Sequence, residues 1–246
     1  MSDEVRVLES VERSAFAALL PDTPESLITK SLLAEGGLRL LACADAVLAT
    51  ASPLEPDEPM AFGSNPAAIV ATLHAAPDWR AVSVVPRAAD EVARLLHESG
   101  VNTRAVRDIY FSRGPEPAVT PPANARLLNR NDSLLLAAHQ TALDAVLPGI
   151  TRESPIRAAT IIDGAIVSFG SVNARTARHA NLAVATLPEW RGNGYGTAVA
   201  MVLAHAVLQT KRRPVWSSAE TNLPSLAIAR RLAFEETTER VYLIRD

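Results

Sequence analysis

The sequence has a single cysteine, Cys43, among 246 residues. One thiol excludes an internal disulfide framework and any thiolate metal cluster, and Cys43 reads as a small buried hydrophobe in an apolar strand. The five histidines share no ligand spacing with carboxylates or with Cys43, so no metal is expected. Aromatic residues are scarce, at 4%, and the basic residues are scattered, which speaks against a nucleic-acid surface. No apolar run approaches the length of a membrane span, and the start Met1-Ser2-Asp3-Glu4-Val5-Arg6 lacks a signal peptide's basic and apolar regions. The expectation is a cytoplasmic protein with no membrane partner. Glycine is also sparse, with eleven in all, yet Gly192, Gly194 and Gly196 stand within five positions.

What is present is an ordinary globular composition, 48% hydrophobic and 21% charged, long enough for one large or two small domains. The net charge of −3 is unevenly placed. Residues 126–246 carry fourteen Arg and Lys against ten Asp and Glu, whereas the rest carry ten against seventeen. A positive C-terminal half suits an anionic cofactor, and an acidic partner half suits a cationic amine.

The glycines lie in Ala183-Val184-Ala185-Thr186-Leu187-Pro188-Glu189-Trp190-Arg191-Gly192-Asn193-Gly194-Tyr195-Gly196-Thr197. An apolar strand breaks here into a turn, and Ala198, Val199, Val202, Leu203, Ala206 and Val207 then recur at helical spacing. Free amides at a helix start, with the positive end of its dipole, favour a phosphate. The spacing G-x-G-x-G fails the dinucleotide fingerprint, and Lys211-Arg212-Arg213 stands where an acidic residue would follow. No Gly-Lys-Ser/Thr triplet marks a Walker loop. The pattern R-x-x-G-x-G, set by Arg191, Gly194 and Gly196, resembles the pyrophosphate loop of the GNAT superfamily of acyl-CoA-dependent N-acyltransferases. A glycine-rich tight turn before a core helix is the plainer alternative.

The wider order supports the resemblance. Four prolines in Gly114–Pro122 mark a spacer. After it the sequence predicts a strand at 125–129 and a helix at 131–147. Strands at 156–162 and 165–172 follow, joined by the hairpin signal Asp163-Gly164. Then come a strand ending at Val184, the loop and its helix, a strand at 214–218, a helix opening at Asn222 and a strand at 234–244. This β-α-β-β-β-α-β-α-β order is that of GNAT proteins. In the first half, strands at 38–43, 47–50 and 60–62, a helix at 66–75, a strand at 81–85, a helix at 89–99 and a strand at 106–111 repeat much of it. The expected fold is therefore α/β with mixed sheets. Two tandem GNAT-like domains are expected: a degenerate one at 1–114, a linker at 115–124 and an acetyltransferase domain at 125–246. The turn Gly63-Ser64-Asn65-Pro66 has neither arginine nor glycine pair, so the first copy is expected not to hold cofactor.

The resemblance implies acetyl-CoA as co-substrate. Its pyrophosphate would lie on Arg191, Gly192, Asn193, Gly194, Tyr195, Gly196 and Thr197, and its pantetheine arm along the main chain of Val184, Ala185 and Thr186, on a bulged strand that splays from its parallel neighbour. An amide near Val184 would act as oxyanion donor. A second signature gives Asn222, Ser225 and Ile228, but Ala229 stands where a thiolate-protonating tyrosine is usual, and Ala233-Phe234 replaces Gly-Phe. Leaving-group protonation then falls to water, to Tyr195 or to Tyr242, or catalysis has been lost. Asn222 reads equally as a helix cap alone or as cap and cofactor contact. Glu220 is the candidate general base, against a plain reading as a solvated loop carboxylate. His179 and His205 read as surface residues, and Trp190 and Trp216 as core or pocket wall.

Two functions remain open. One is transfer of an acetyl group to a small-molecule or peptide amine by direct attack in a ternary complex, with no cysteine near the site to form an acyl-enzyme. The other is a non-catalytic tandem fold that binds acyl-CoA or a partner. The first half would shape the pocket or make a homodimer.

Overall fold

The computed structural model describes residues 4–50, 56–114, 124–151 and 153–246. The expected spacer at 115–124 lies outside them, apart from Asn124. The described chain forms two compact units. Unit 1 holds the described residues up to Ile109 together with Ser218–Thr221 and Thr238–Asp246; unit 2 holds Tyr110–Ser217 and Asn222–Thr237. These units differ from the two sequence halves because three strands, Thr103–Ser112, Arg213–Ala219 and Glu235–Arg245, each contribute residues to both.

Unit 1 begins with β1 (Arg6–Val7), α1 (Ser10–Leu19) and α2 (Leu27–Ala34). The sequence reading assigned no element there. α1 has no fully buried residue, although its Phe16 packs against the apolar cluster that includes Leu32 and Leu40, and α2 buries Leu27 and Leu32. β2 (Arg39–Cys43), β3 (Ala46–Thr50), β4 (Met60–Phe62), α3 (Pro66–His74), β5 (Ala81–Val84), α4 (Pro86–Glu98) and β6 (Thr103–Ser112) follow. With β1 and α1–α2 in place, the first half reads β-α-α-β-β-β-α-β-α-β, the order of the second half with one helix more. α4 starts three residues earlier than the spacing predicts, because Pro86 occupies a first-turn position that needs no amide donor. Its face Ala88, Ala89, Val92 and Leu96 is buried.

The strands of unit 1 run in the order β1-β2-β3-β4-β5, followed by β12 (Glu235–Arg245) and β6. β12 is antiparallel to β5, from Val241↔Val84 to Ile244↔Ala81. Leu41, Leu48, Ile69, Leu73, Val82, Val84, Val92, Leu96 and Leu243 form its core, so the last strand of the chain completes the first unit's interior.

Unit 2 contains β7 (Ala125–Leu127), α5 (Ser133–Val146), β8 (Arg157–Ile162), β9 (Ala165–Arg175), β10 (His179–Thr186), α6 (Tyr195–Gln209), β11 (Arg213–Ala219, of which Ser217 is the last residue in this unit) and α7 (Leu223–Arg231). The strand order is β6-β11-β10-β9-β8-β7. The hairpin β8–β9 turns on Asp163 and Gly164, both at positive φ (49° and 80°), as a two-residue reverse turn requires. α5 is anchored at its start by Asp132, whose carboxylate accepts the Asn129 amide at 2.8 Å and two Arg126 guanidinium bonds at 2.6 and 2.8 Å. These bonds hold the Asp132 carboxyl down at about 2, with Arg126 the larger cause. Phe169, Ile166 and Ala159 pack beneath α5 with its Leu143. Val199, Leu203 and Val207 bury the inner face of α6.

Candidate acyl-carrier site

β10 is longer than the sequence reading proposed, running to Thr186. It pairs with β9 along its whole length, with a register shift between Asn181 and Leu182 where Asn173 is skipped. A bulge of this kind bends the strand and re-aims its backbone. On its other edge β10 runs parallel to β11 only through His179↔Arg213, Ala180↔Pro214 and Asn181↔Val215. Past Asn181 the two strands part, and the edge of β10 over Ala183–Thr186 opens. The extra residue, Asn173, belongs to β9, so the bulge lies on the neighbouring strand and not on β10 as the family resemblance implies, whereas the splay from β11 is the one it implies.

Side chains alternate along this open stretch, as in any strand. Ala185 packs into the cluster under α5. Val184 and Thr186 lie on the α6 side, where a Cβ placed on Gly196 would stand 3.8 Å from Val184 Cγ1 and 2.9 Å from Thr186 Oγ1. Gly196 is therefore a packing glycine, letting the first turn of α6 settle on β10. Gly170 in β9 does the same further along: a Cβ there would meet Ala183 O at 2.8 Å and Leu203 Cδ1 at 2.8 Å. Gly170 was missed in the sequence, although a glycine in mid-strand signals close approach.

The loop begins with one 3-10 turn, Pro188–Trp190. Gly192 and Gly194 then take φ of 82° and 79°, left-handed values that other residues rarely adopt. A Cβ at either would meet nothing within 4 Å, so conformation and not crowding demands glycine here. Gly194 is the N-cap of α6, and Ala198 makes the first backbone bond back to it. Among the described residues no acceptor is recorded for the amides of Gly192, Asn193, Gly194, Tyr195, Gly196 or Thr197. Six consecutive N–H groups stand at the positive end of a fifteen-residue helix, an arrangement that favours an anion.

The loop is braced from within. Arg191 Nε donates to Thr186 O at 3.2 Å, which fixes the root of the guanidinium and leaves its two terminal nitrogens to reach outward. Asn193 Nδ2 donates to the carbonyls of Trp190 and Arg191 at 3.1 and 3.2 Å. Thr160 Oγ1 donates to Tyr195 O at 3.2 Å, and Ser168 binds both Ala185 O and the Thr186 hydroxyl. Thr160 and Ser168 come from β8 and β9, too far along the chain for local patterning to reveal them. Tyr195 stacks obliquely on Trp190, with centroids 6.1 Å apart.

Asn222 caps α7, its side chain accepting the Ser225 amide at 3.2 Å, and Ser225 Oγ in turn accepts Trp216 Nε1 at 3.0 Å. Ala229 is fully buried in α7. Glu220 belongs to unit 1. It exchanges backbone contact with Arg107 of β6: its amide donates to Arg107 O at 2.8 Å and its Oε1 accepts the Arg107 amide at 3.1 Å. Its other oxygen is 3.7 Å from Arg107 Nη1, while that guanidinium also binds Glu239. Glu220 is thus a held carboxylate rather than a loosely solvated one. Tyr242 lies on β12 in unit 1, opposite Ser83. His179 corrects another expectation: it is 6% exposed, because as the first residue of β10 it is flanked by β11 and the β9 turn. His205 is exposed.

Residues 158–242 match the family model described as GNAT acetyltransferase. No curated protein matches the chain. Solved structures of similar fold include a GCN5-related N-acetyltransferase-like protein from Streptococcus suis, with TM-score 0.68 at 17% identity over 96% of this chain and 99% of that one. A GCN5-related N-acetyltransferase from Kribbella flavida gives TM-score 0.63 at 18% identity, covering 89% of this chain and 93% of its own. A tandem GNAT protein from the clavulanic acid biosynthesis pathway gives 0.58 at 15%, covering 98% and 97%. The chain has the GNAT fold, and its segment 158–242 carries the GNAT acetyltransferase family match.

Proposed function

We propose that unit 2 binds acetyl-CoA and that the chain transfers the acetyl group to an amine. The observation that carries this reading is the run of six amides from Gly192 to Thr197 with no acceptor among the described residues, set at the end of a strand whose edge has come free. The amides and Arg191 suit a diphosphate, and the open edge over Val184–Thr186 suits the amide groups of a pantetheine arm. In the reaction the amine nitrogen forms a bond to the acetyl carbon, the carbon–sulfur bond breaks, and the thiolate takes up a proton. A backbone amide near Val184 supplies the oxyanion donor as charge develops on the carbonyl oxygen. Cys43 is buried in a hydrophobic core, which favours direct attack over a thiol relay.

Glu220, the carboxylate that the sequence nominates to accept the ammonium proton, is held by Arg107 within unit 1. Tyr195 is nominated to protonate the thiolate, since Ala229 has no proton to give. The buried Ala229 also favours a second reading, in which the chain binds acyl-CoA without turning it over. The acceptor class under the first reading is a small molecule or peptide amine, and the compartment is the cytoplasm. Titrating the protein with acetyl-CoA and then following free thiol across an amine panel separates the two. Thiol release with at least one amine supports transfer. Binding with no release on any amine supports the carrier reading, and no binding refutes both.

A further inference from the structure

Unit 1 contains its own parallel pair that parts next to a helix start. β4 joins β5 through one register pair, Met60↔Ser83, and then leads into the turn before α3, as β10 leads into the turn before α6. In unit 1 the gap is filled. Arg240, from β12, is only 2% exposed, and its Nη2 donates both to Ala61 O on β4 at 2.5 Å and to Ser83 O on β5 at 2.9 Å. Its Nε donates to Ser83 Oγ at 2.7 Å, and its guanidinium carbon sits 5.2 Å from the centre of the Phe62 ring. A cation so buried persists only where its donors are used, and carbonyls on parted strands need donors. The turn is filled as well. Asp45 Oδ2 accepts both the amide and the hydroxyl of Ser64, and a Cβ on Gly63 would press 2.6 Å from Asp45 O. At Gly192 and Gly194 the equivalent space is open.

We propose that the β4–β5 opening is a self-occupied site: Arg240 lies where a pantetheine arm would run, and Asp45 sits on Ser64 where a phosphate would. One acyl-CoA per chain follows, held by unit 2. The identity of that ligand rests on the function proposed above; the occupancy of the opening by Arg240 does not.

Two measurements test this. Calorimetric titration with acetyl-CoA is expected to give one equivalent for the native chain, weakened about 30-fold or more in Gly194→Glu. A second equivalent on the native chain, or one retained by Gly194→Glu at native affinity, overturns the proposal. In Arg240→Ala the melting temperature is expected to fall by about 5 °C or more, and about 20 mM ethylguanidinium is expected to restore part of it while giving the native protein no gain. Equal responses of the two proteins overturn the proposal. Should the native chain bind no acetyl-CoA, the assignment of unit 2 fails while the ethylguanidinium comparison still decides the opening. The titration needs no Arg240 variant, so it decides the matter even where Arg240→Ala does not fold.

Discussion

Gly194 separates conformation from ligand recognition. At φ 79° an alanine is strained but unhindered, since its Cβ meets nothing within 4 Å. The strain should cost about 1–2 kcal/mol, seen as a fall of roughly 2–8 °C in Tm. Gly194→Glu carries the same strain and adds a carboxylate facing the bound diphosphate. Like charges about 6 Å apart at an effective dielectric near 20 repel by about 2–3 kcal/mol. Acetyl-CoA should therefore bind Gly194→Glu about 30- to 100-fold more weakly than Gly194→Ala, with both variants melting alike. Calorimetry at two ionic strengths checks the cause, because added salt must narrow the gap. Gly196→Ala is the control. Its Cβ is crowded to 2.9 Å by Thr186 Oγ1, so it should lose about 1–3 kcal/mol of stability by overpacking. Equal affinity of Gly194→Glu and Gly194→Ala would show that no phosphate lies on this turn, and the functional reading would go with it.

Two further outcomes follow from the geometry. Glu220→Gln should lower kcat/KM for the amine about 100-fold near neutral pH and leave the acetyl-CoA KM unchanged; an unaltered rate removes Glu220 from the mechanism. Asp132→Asn should reduce stability by about 1 kcal/mol at neutral pH, through the weakened anchor of α5. The folded carboxyl of Asp132 lies at about 2, below its ordinary 3.8, so its contribution is full above about pH 4 and disappears as pH falls toward 2. The Tm difference between native protein and Asp132→Asn should shrink over that interval, and a constant difference would mean that the charge is not the cause.

The loop was legible in the sequence because everything that shapes it is local. Two glycines at positive φ, an arginine three residues before the second, and an apolar helix beginning directly after are read within fifteen consecutive positions. The Asn222 cap and the Asp163-Gly164 turn were legible for the same reason, each bonding within three residues or setting its own dihedral angles. α1 and α2 were not: Phe16 and Leu32 pack against Leu40, Ala42 and Ala49, which stand further along the chain than a local window reaches. Nor was the burial of His179, which depends on strands that flank it from elsewhere in the chain.

The sequence alone determined the local chemistry: a turn rich in free amides, a helix to polarise it, and an alanine where a proton donor was expected. Tertiary structure decided what stands beside those groups. Arg107 reaches Glu220 across 113 positions, and Arg240 reaches Ala61 across 179. β12 completes the core of the unit built mainly from the chain's first half. Contacts over such separations come from strand order and register, which no short window of residues encodes.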